Sequence, residues 1–152
     1  MPDNTDNADK TAAAAVHRLY EAMNTGDEKI VDDVVSSVLA PGWQNSPLPP
    51  GVTPGAEAFR GTVAFLRAVF PDFTITHEDL VVAGDTVAVR SVSSGTHSAE
   101  LLGVAPTGRK VFYRAFDFHR IENGRIAESW HLEDNLALLG QLGAPLTNGS
   151  AS

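Results

Sequence analysis

A hairpin near the carboxyl-terminal end constrains the fold of this chain more than any other stretch. In FYRAFDFHRIENGRIAESWHLEDN, residues 112–135, two aromatic-rich runs flank Asn123-Gly124, the dipeptide that most readily adopts the positive φ angles of a type I′ turn. Two ionisable residues interrupt the runs: Asp117 lies between two phenylalanines, and His131 follows Trp130. Burying such a group is costly unless it is paired, so both residues need a reason beyond packing.

The apolar periodicity of the remaining chain predicts helices first and strands later. Apolar residues at helical spacing, among them Leu19 or Tyr20 in the first, predict helices over about 12–24, 28–38, 54–70 and 136–142. Asp27 can cap the second helix, Pro41-Gly42 ends it, and Thr53-Pro54 is a typical start for the third. Alternation from Phe73 onward predicts two strands joined near Gly84-Asp85, and the hairpin adds two more. The stretch 45–55, rich in proline and glycine, predicts a loop. This order predicts an α+β fold, with helices packed on a curved antiparallel sheet that forms a barrel or cone with an internal cavity.

The length of 152 residues predicts a single domain large enough to enclose a ligand. We expect this domain to span residues 10–143. The composition of residues 1–9 and 144–152 is typical of flexible termini.

Composition excludes several classes of function. A formal net charge of −8, with the basic residues scattered, argues against nucleic acid and anionic membranes as partners. The absence of cysteine excludes thiolate catalysis and cysteine-based metal sites. No apolar run approaches membrane-spanning length and the start is polar, so we expect a cytoplasmic protein.

Three segments resemble one known family. VVAGDTVAVRSVSSGTH, ELLGVAPTGRKVFYRAFDFHRIENGRIAESW and LLGQLG are similar to the SnoaL-like polyketide cyclases of the nuclear-transport-factor-2-like superfamily, and the similarity covers roughly residues 12–143. The resemblance implies a cone-shaped α+β fold and a role in aromatic polyketide biosynthesis, such as that of anthracycline-type antibiotics. The fold alone does not give the function, because this scaffold hosts several chemistries.

The resemblance also implies catalytic roles for Asp117 and His131, in exchanged positions. Asp117 stands where the ring-closing cyclases have a histidine, and His131 stands where they have the acid–base aspartate. Some relatives in anthracycline pathways hydroxylate the polyketide without metal or flavin, and the exchanged pair favours that branch. The resemblance therefore predicts a cofactor-independent hydroxylase, a monooxygenase with dioxygen as co-substrate.

For both residues to reach one cavity, the hairpin needs an irregularity. A regular two-residue turn would place Asp117 opposite Trp130, and then Asp117 and His131 would point to opposite faces. One β-bulge reverses this, so we predict a bulge between residues 117 and 131. In a regular hairpin, one of the two residues would leave the site.

The chemistry of the pair is suited to proton transfer. Burial among phenylalanines raises the pKa of an aspartate, and a histidine titrates near neutral pH. Such a pair could deprotonate a phenol or an acidic C–H group. The alternative is structural: Asp117 could pair with Arg114 or Arg120, and His131 could be a core histidine.

Further residues are candidates for the pocket wall. Asn45 could bind a substrate carbonyl, Trp43 matches a wall segment of the cyclases, and the others are apolar or could gate the cavity. The predicted substrate-binding residues are Trp43, Asn45, Met23, Phe65, Leu66, Phe70, His97, Phe112, Arg114, Phe116 and Trp130.

No metal site and no cofactor are predicted. His119, His131, Glu133 and Asp134 lack a recognised ligand spacing, and the last two are expected to open the final helix. No phosphate loop or dinucleotide fingerprint is present.

The expected partners are an aromatic polyketide, a second copy of the chain in a homodimer, and a separate reductase for a hydroxylase. Two other functions stay open: a cyclase that closes a ring by intramolecular aldol condensation, and a non-catalytic module that binds a small molecule.

Overall fold

The structure, a computed structural model, describes residues 4–145, and most of the tail predicted to be flexible lies outside that range. The helices are α1 (Asn4–Thr25), α2 (Glu28–Asp33), α3 (Ala58–Val69) and α4 (Asn135–Gln141), with a π-helical turn at Val34–Val38 after α2. The strands are β1 (Leu39–Ser46), β2 (Thr74–Ala83), β3 (Thr86–Thr96), β4 (Lys110–Glu122) and β5 (Arg125–Glu133). The predicted α+β class is confirmed.

The sheet has one more strand than predicted. Its order is β1-β5-β4-β3-β2, and β1 runs parallel to β5 while the other neighbours are antiparallel. The sheet is therefore mixed and open rather than wholly antiparallel. The sequence suggested that Pro41-Gly42 simply ends a helix. An edge strand tolerates proline, however, and Leu39 and Trp43 of β1 are buried in the core.

The helices cover one face of the sheet. Ala12, Val16, Leu19 and Tyr20 form the buried stripe of α1, and Gly26, with φ of 61°, follows the end of this helix. This helix begins at Asn4, within the stretch expected to be a flexible terminus.

The next two helices differ in how well their starts were predicted. Asp27 caps α2 as expected, accepting hydrogen bonds from the backbone N–H groups of Lys29 and Ile30. The third helix begins at Ala58, after the predicted Thr53-Pro54 start.

The predicted bulge in the hairpin is confirmed. Next to the turn, Ile121 pairs with Ile126, whereas Arg120 pairs with Glu128, so Ala127 is the extra residue. Beyond this point Asp117 is directly opposite His131. Directly opposed residues share a face, so both point toward the helices.

The two faces of β4 and β5 differ sharply. Asp117 and its alternate neighbours are buried beneath the helices, while the intervening residues are exposed on the outer face. Four residues predicted to line the pocket lie on that outer face: Phe112, Arg114, Phe116 and Trp130. Strand alternation places them on the opposite side of the sheet from Asp117, so they do not line the inner face.

Within the residues that the structure describes, no helix is long and apolar enough to cross a membrane. The cytoplasmic location stays a prediction.

Candidate active site

Asp117 is a buried carboxyl group at the centre of the inner face. It is 7% exposed, and the phenol of Tyr20 on α1 donates a short hydrogen bond to its Oδ2. The other oxygen, Oδ1, is buried and has no hydrogen-bond partner among the described residues. Burial raises the pKa of Asp117 to about 6; the Tyr20 hydrogen bond and the charge of His131 oppose the rise, and Glu133 adds to it.

His131 lies opposite Asp117 between two acceptors. Its Nδ1 is 2.6 Å from Oε1 of Glu133, and its Nε2 is 2.9 Å from the carbonyl oxygen of Pro47. Because both partners can only accept, both ring nitrogens carry hydrogen, and the ring is an imidazolium. The pKa of His131 is raised, chiefly by the hydrogen bond to Glu133 and with a smaller contribution from the charge of Asp117.

A second histidine on the same face stays neutral. His119 lies two residues after Asp117 on β4; its Nε2 is 3.0 Å from the Tyr20 oxygen and its Nδ1 is 2.7 Å from Oγ of Ser129. The indole N–H of Trp43 donates to the same Oγ at 3.0 Å. Burial, with smaller contributions from the charges of His77 and His131, lowers the pKa of His119 to about 4.

Sequence reasoning missed most of this cluster. The sequence pattern indicates only a helix stripe for Tyr20 and a possible metal ligand for His119, and no motif points to Ser129. The predicted bulge could have identified two of these residues. The register that brings Asp117 opposite His131 also brings His119 opposite Ser129.

The two acidic residues at the end of β5 and the start of α4 have different roles. Glu133 is the last residue of β5 and pairs with His131, whereas it was expected to open the final helix. Asp134 does cap that helix, accepting from the backbone N–H of Ala137 at 3.0 Å. Among residues 4–145, no group of three or more histidine or acidic side chains is placed to hold a metal ion.

The other predicted wall residues are scattered. Trp43 joins the cluster, and Asn45 on β1 is half-buried beside it, its backbone paired in register with Ser129. Phe70 is core, with its ring 6.2 Å from that of Tyr113. Phe65 is 53% exposed on α3. Met23 and Leu66 pack partly buried against the core.

His97 is fully buried and organises a loop. Its Nδ1 accepts the backbone N–H of Thr107 at 3.1 Å, which holds the segment between β3 and β4. No hydrogen bond or ring contact links it to Asp117 within the described chain, so it is placed apart from the acid–base cluster.

A surface groove lies away from this cluster. It has a volume of about 460 Å³ and is lined by the first turns of α1 and by the turns at Gly84-Asp85 and Gly124. None of the acid–base residues lines it. Beside Asp117, the side chains of His131 and Glu133 are 27% and 32% exposed.

The inner face of the sheet carries a carboxyl group, an imidazolium and a phenol beneath a layer of helices, and the fold is of the cone-like α+β class. Residues 13–142 match the family of SnoaL-like polyketide cyclases. The chain belongs to this family.

Two relatives of this chain are named as methyl ester cyclases. AcmA of Streptomyces galilaeus, an aklanonic acid methyl ester cyclase, is 30% identical over 87% of this chain and 90% of its own length. The nogalonic acid methyl ester cyclase of Streptomyces nogalater is 30% identical over 84% of this chain and 93% of its own length. The crystal structure of IdmH from Streptomyces antibioticus is 37% identical, with a TM-score of 0.71 over 88% of this chain and 99% of that one.

These relatives overturn the predicted hydroxylase, because they are named as cyclases. The physical reason lies in the register. Asp117 and His131 are direct cross-strand partners, so exchanging an aspartate and a histidine between them keeps both groups on one face. The exchange therefore does not call for a different chemistry.

Proposed function

We propose that this protein is a cyclase that closes a ring of an aromatic polyketide methyl ester by intramolecular aldol addition, the C–C bond-forming step of an aldol condensation. The observation that carries the proposal is the opposed pair of Asp117 and His131, a buried carboxylate facing an imidazolium on the inner face. The named activities of the relatives support the reaction and the class of substrate.

The first step is removal of a proton. Asp117 takes a proton from the carbon beside the ester carbonyl, and the electron pair of the broken C–H bond forms an enolate. With a pKa of about 6, the carboxyl group is mostly ionised at neutral pH and is a stronger base than an ordinary aspartate. The charge of His131 favours the developing anion.

The second step closes the ring. The enolate carbon attacks a ketone carbon of the same molecule, and the ketone oxygen becomes an alkoxide. A proton held by Asp117 or His131 then moves to that oxygen and gives an alcohol. The product is an isomer of the substrate, with one new C–C bond and no change in overall oxidation state. This reaction requires neither dioxygen nor the reductase expected for a hydroxylase.

The test uses the substrate named for a relative. Aklanonic acid methyl ester is incubated with the wild-type protein, with Asp117→Asn, and with Asp79→Asn, a control at an exposed position on β2. We expect ring closure by wild type and control, and a loss of 10²–10⁴-fold in rate in Asp117→Asn, the usual contribution of a general base. Binding without turnover by a folded wild-type protein would support a non-catalytic module instead.

We also propose that the protein is a homodimer, formed through the outer face of β4 and β5. This face exposes large apolar side chains: Phe112 57%, Phe116 55%, Phe118 52%, Trp130 42% and Leu132 74%. Together they expose on the order of 500 Å², comparable with the largest patch of a typical monomer, and a stable dimer needs about 800 Å² from each partner.

The rim of this apolar patch carries both acidic and basic side chains. Glu78 lies 3.3 Å from Arg90 and 3.6 Å from Arg114, so a second copy can offer complementary charges across a two-fold axis. Leu132→Glu is expected to give a monomer in sedimentation experiments, whereas Phe65→Glu, which charges an exposed site on α3, leaves the dimer intact. A monomeric wild-type protein would refute this interface.

A further inference from the structure

We propose that Trp43, Ser129, His119 and Tyr20 form a one-way chain of hydrogen bonds that ends on Asp117 and keeps its carboxyl group ionised. Tyr20 is then a positioning residue, and the three residues behind it fix which way its hydroxyl points. The inference rests on the proposed function only in taking Asp117 as the base. The direction of the chain can be measured without substrate.

The direction of the chain starts at Trp43. An indole nitrogen only donates, and it lies 3.0 Å from Oγ of Ser129, so this oxygen must accept. The hydroxyl of Ser129 has one hydrogen to give, and Nδ1 of His119 lies 2.7 Å away. Ser129 is buried, so this hydrogen has no solvent to bond.

The direction continues through the imidazole to the phenol. When Nδ1 of a neutral His119 accepts, its hydrogen sits on Nε2, which is 3.0 Å from the Tyr20 oxygen. The Tyr20 oxygen accepts this hydrogen, and its own hydroxyl hydrogen points to Oδ2 of Asp117. Every donor in the chain is thus used once.

The opposite direction leaves a hydrogen unpaired. A protonated Oδ2 would donate to Tyr20, Tyr20 to Nε2, and Nδ1–H to Ser129. Ser129 would then receive two donors, Trp43 and His119, and its hydroxyl hydrogen would have no acceptor among the described residues. An unpaired buried donor is costly, so the proton stays off Oδ2. The hydrogen bond that Oδ2 accepts from Tyr20 is stronger when the carboxyl group is ionised, and it therefore favours the carboxylate. The low pKa of His119 agrees with a neutral ring.

Other groups also act on Asp117 from the surrounding elements. His131 on β5 favours the carboxylate, whereas burial and Glu133 disfavour it. Tyr113 lies on the same strand and interacts with its charge. His77 on β2 packs its ring 4.3 Å from that of Tyr20, edge to face. The hydrogen-bond chain, through Tyr20, is therefore one of two influences, with the charge of His131, that offset the rise in the pKa of Asp117 caused by burial.

The chain also assigns the reacting oxygen. Oδ2 is occupied by Tyr20, whereas Oδ1 is buried without a partner among residues 4–145. Oδ1 is the atom that takes the proton from the substrate, while Oδ2 remains bonded to the phenol throughout.

The experiment measures protonation by NMR in the substrate-free protein. The ¹⁵N shifts of His119 report its tautomer, and the ¹³C shift of the Asp117 carboxyl group reports its midpoint of ionisation. We expect the Nε2–H tautomer in the wild-type protein. Tyr20→Phe should raise the midpoint of Asp117 by about 1–2 pH units, since hydrogen bonds to charged groups are among the strongest.

Ser129→Ala is the sharper variant because it removes one hydroxyl and leaves Asp117, Tyr20 and His119 unchanged. We expect loss of the Nε2–H preference and a rise of less than one unit in the Asp117 midpoint. Ser91→Ala is the matched control: Ser91 is buried on β3, and its Oγ has no hydrogen-bond partner in the described chain. It should change neither quantity.

Two results would overturn the chain: an Nδ1–H tautomer of His119 in the wild-type protein, or an Asp117 midpoint that neither Tyr20→Phe nor Ser129→Ala moves. Failure of the proposed function looks different. In that case the NMR midpoint moves as expected, but the acidic limb of the kcat/KM profile does not follow it.

Discussion

Replacing Asp117 by asparagine should stabilise the protein at neutral pH, although it removes the proposed base. The pKa of this carboxyl group rises from 3.8 in an exposed chain to about 6 in the fold. Each pKa unit corresponds to about 1.4 kcal/mol, so holding the ionised form in this site costs about 3 kcal/mol. Asparagine keeps an oxygen for Tyr20 and carries no charge.

The direction of the effect of Asp117 on stability follows from proton binding. Between about pH 4 and 6 the folded protein binds more protons at Asp117 than the unfolded chain does, so this group lowers the free energy of unfolding as pH rises. This decrease in the free energy of unfolding is complete above pH 6 and absent below pH 4. We expect Asp117→Asn to exceed the wild type by about 2–3 kcal/mol at pH 7.5 and to match it near pH 4.

His119 makes the comparison between variants necessary. Its pKa falls from 6.5 to about 4, so its contribution to stability is present above pH 6.5 and is lost as pH falls toward 4. This trend opposes that of Asp117 over the same window, and the wild-type curve alone would hide both.

Urea unfolding at several pH values measures the difference directly. In a domain of this size the gain corresponds to a rise in Tm of roughly 4–12 °C at pH 7.5. An asparagine variant that is less stable than the wild type at pH 7.5 would refute the reasoning, because the carboxylate would then be stabilised rather than strained by its surroundings.

Two further predictions concern the hairpin. Glu133→Gln should move the acidic limb (Asp117) and the alkaline limb (His131) of the pH profile of kcat/KM to lower pH, because Glu133 raises the pKa of both groups. Glu122→Gln, at an exposed position, is the control, and an unmoved alkaline limb would contradict the role of His131. Inserting one alanine between Trp130 and His131 moves His131 from the position opposite Asp117 to the position opposite Phe116, on the outer face, so turnover should fall below detection; an active insertion variant would show that the register is not needed.

Much of the fold follows from local patterns in the sequence. Asp27 before an apolar run predicted the start of α2, and Asn123-Gly124 predicted a turn whose two residues do have positive φ, 52° and 75°. The bulge could be predicted because regular pairing would place Asp117 and His131 on opposite faces, whereas the resemblance implies that they share a cavity. These features depend on neighbours in sequence or on one hairpin.

The features that could not be predicted from the sequence depend on contacts between residues far apart in the chain. Leu39–Ser46 forms a strand because it pairs with β5, far along the chain, and local propensity near Pro41 gave no sign of this. Tyr20 reaches Asp117 only after α1 packs on the sheet. The prediction that Phe112 and Phe116 line the pocket is wrong, because aromatic character alone does not indicate which face of a strand is covered.

The most direct test of the central claim follows the fate of aklanonic acid methyl ester by mass spectrometry and NMR under ¹⁸O-labelled dioxygen. The proposed reaction gives a product of unchanged mass with a new ring C–C bond and no label, formed by the wild-type protein and not by Asp117→Asn. A product that carries ¹⁸O, or ring closure at the wild-type rate by Asp117→Asn, would contradict it.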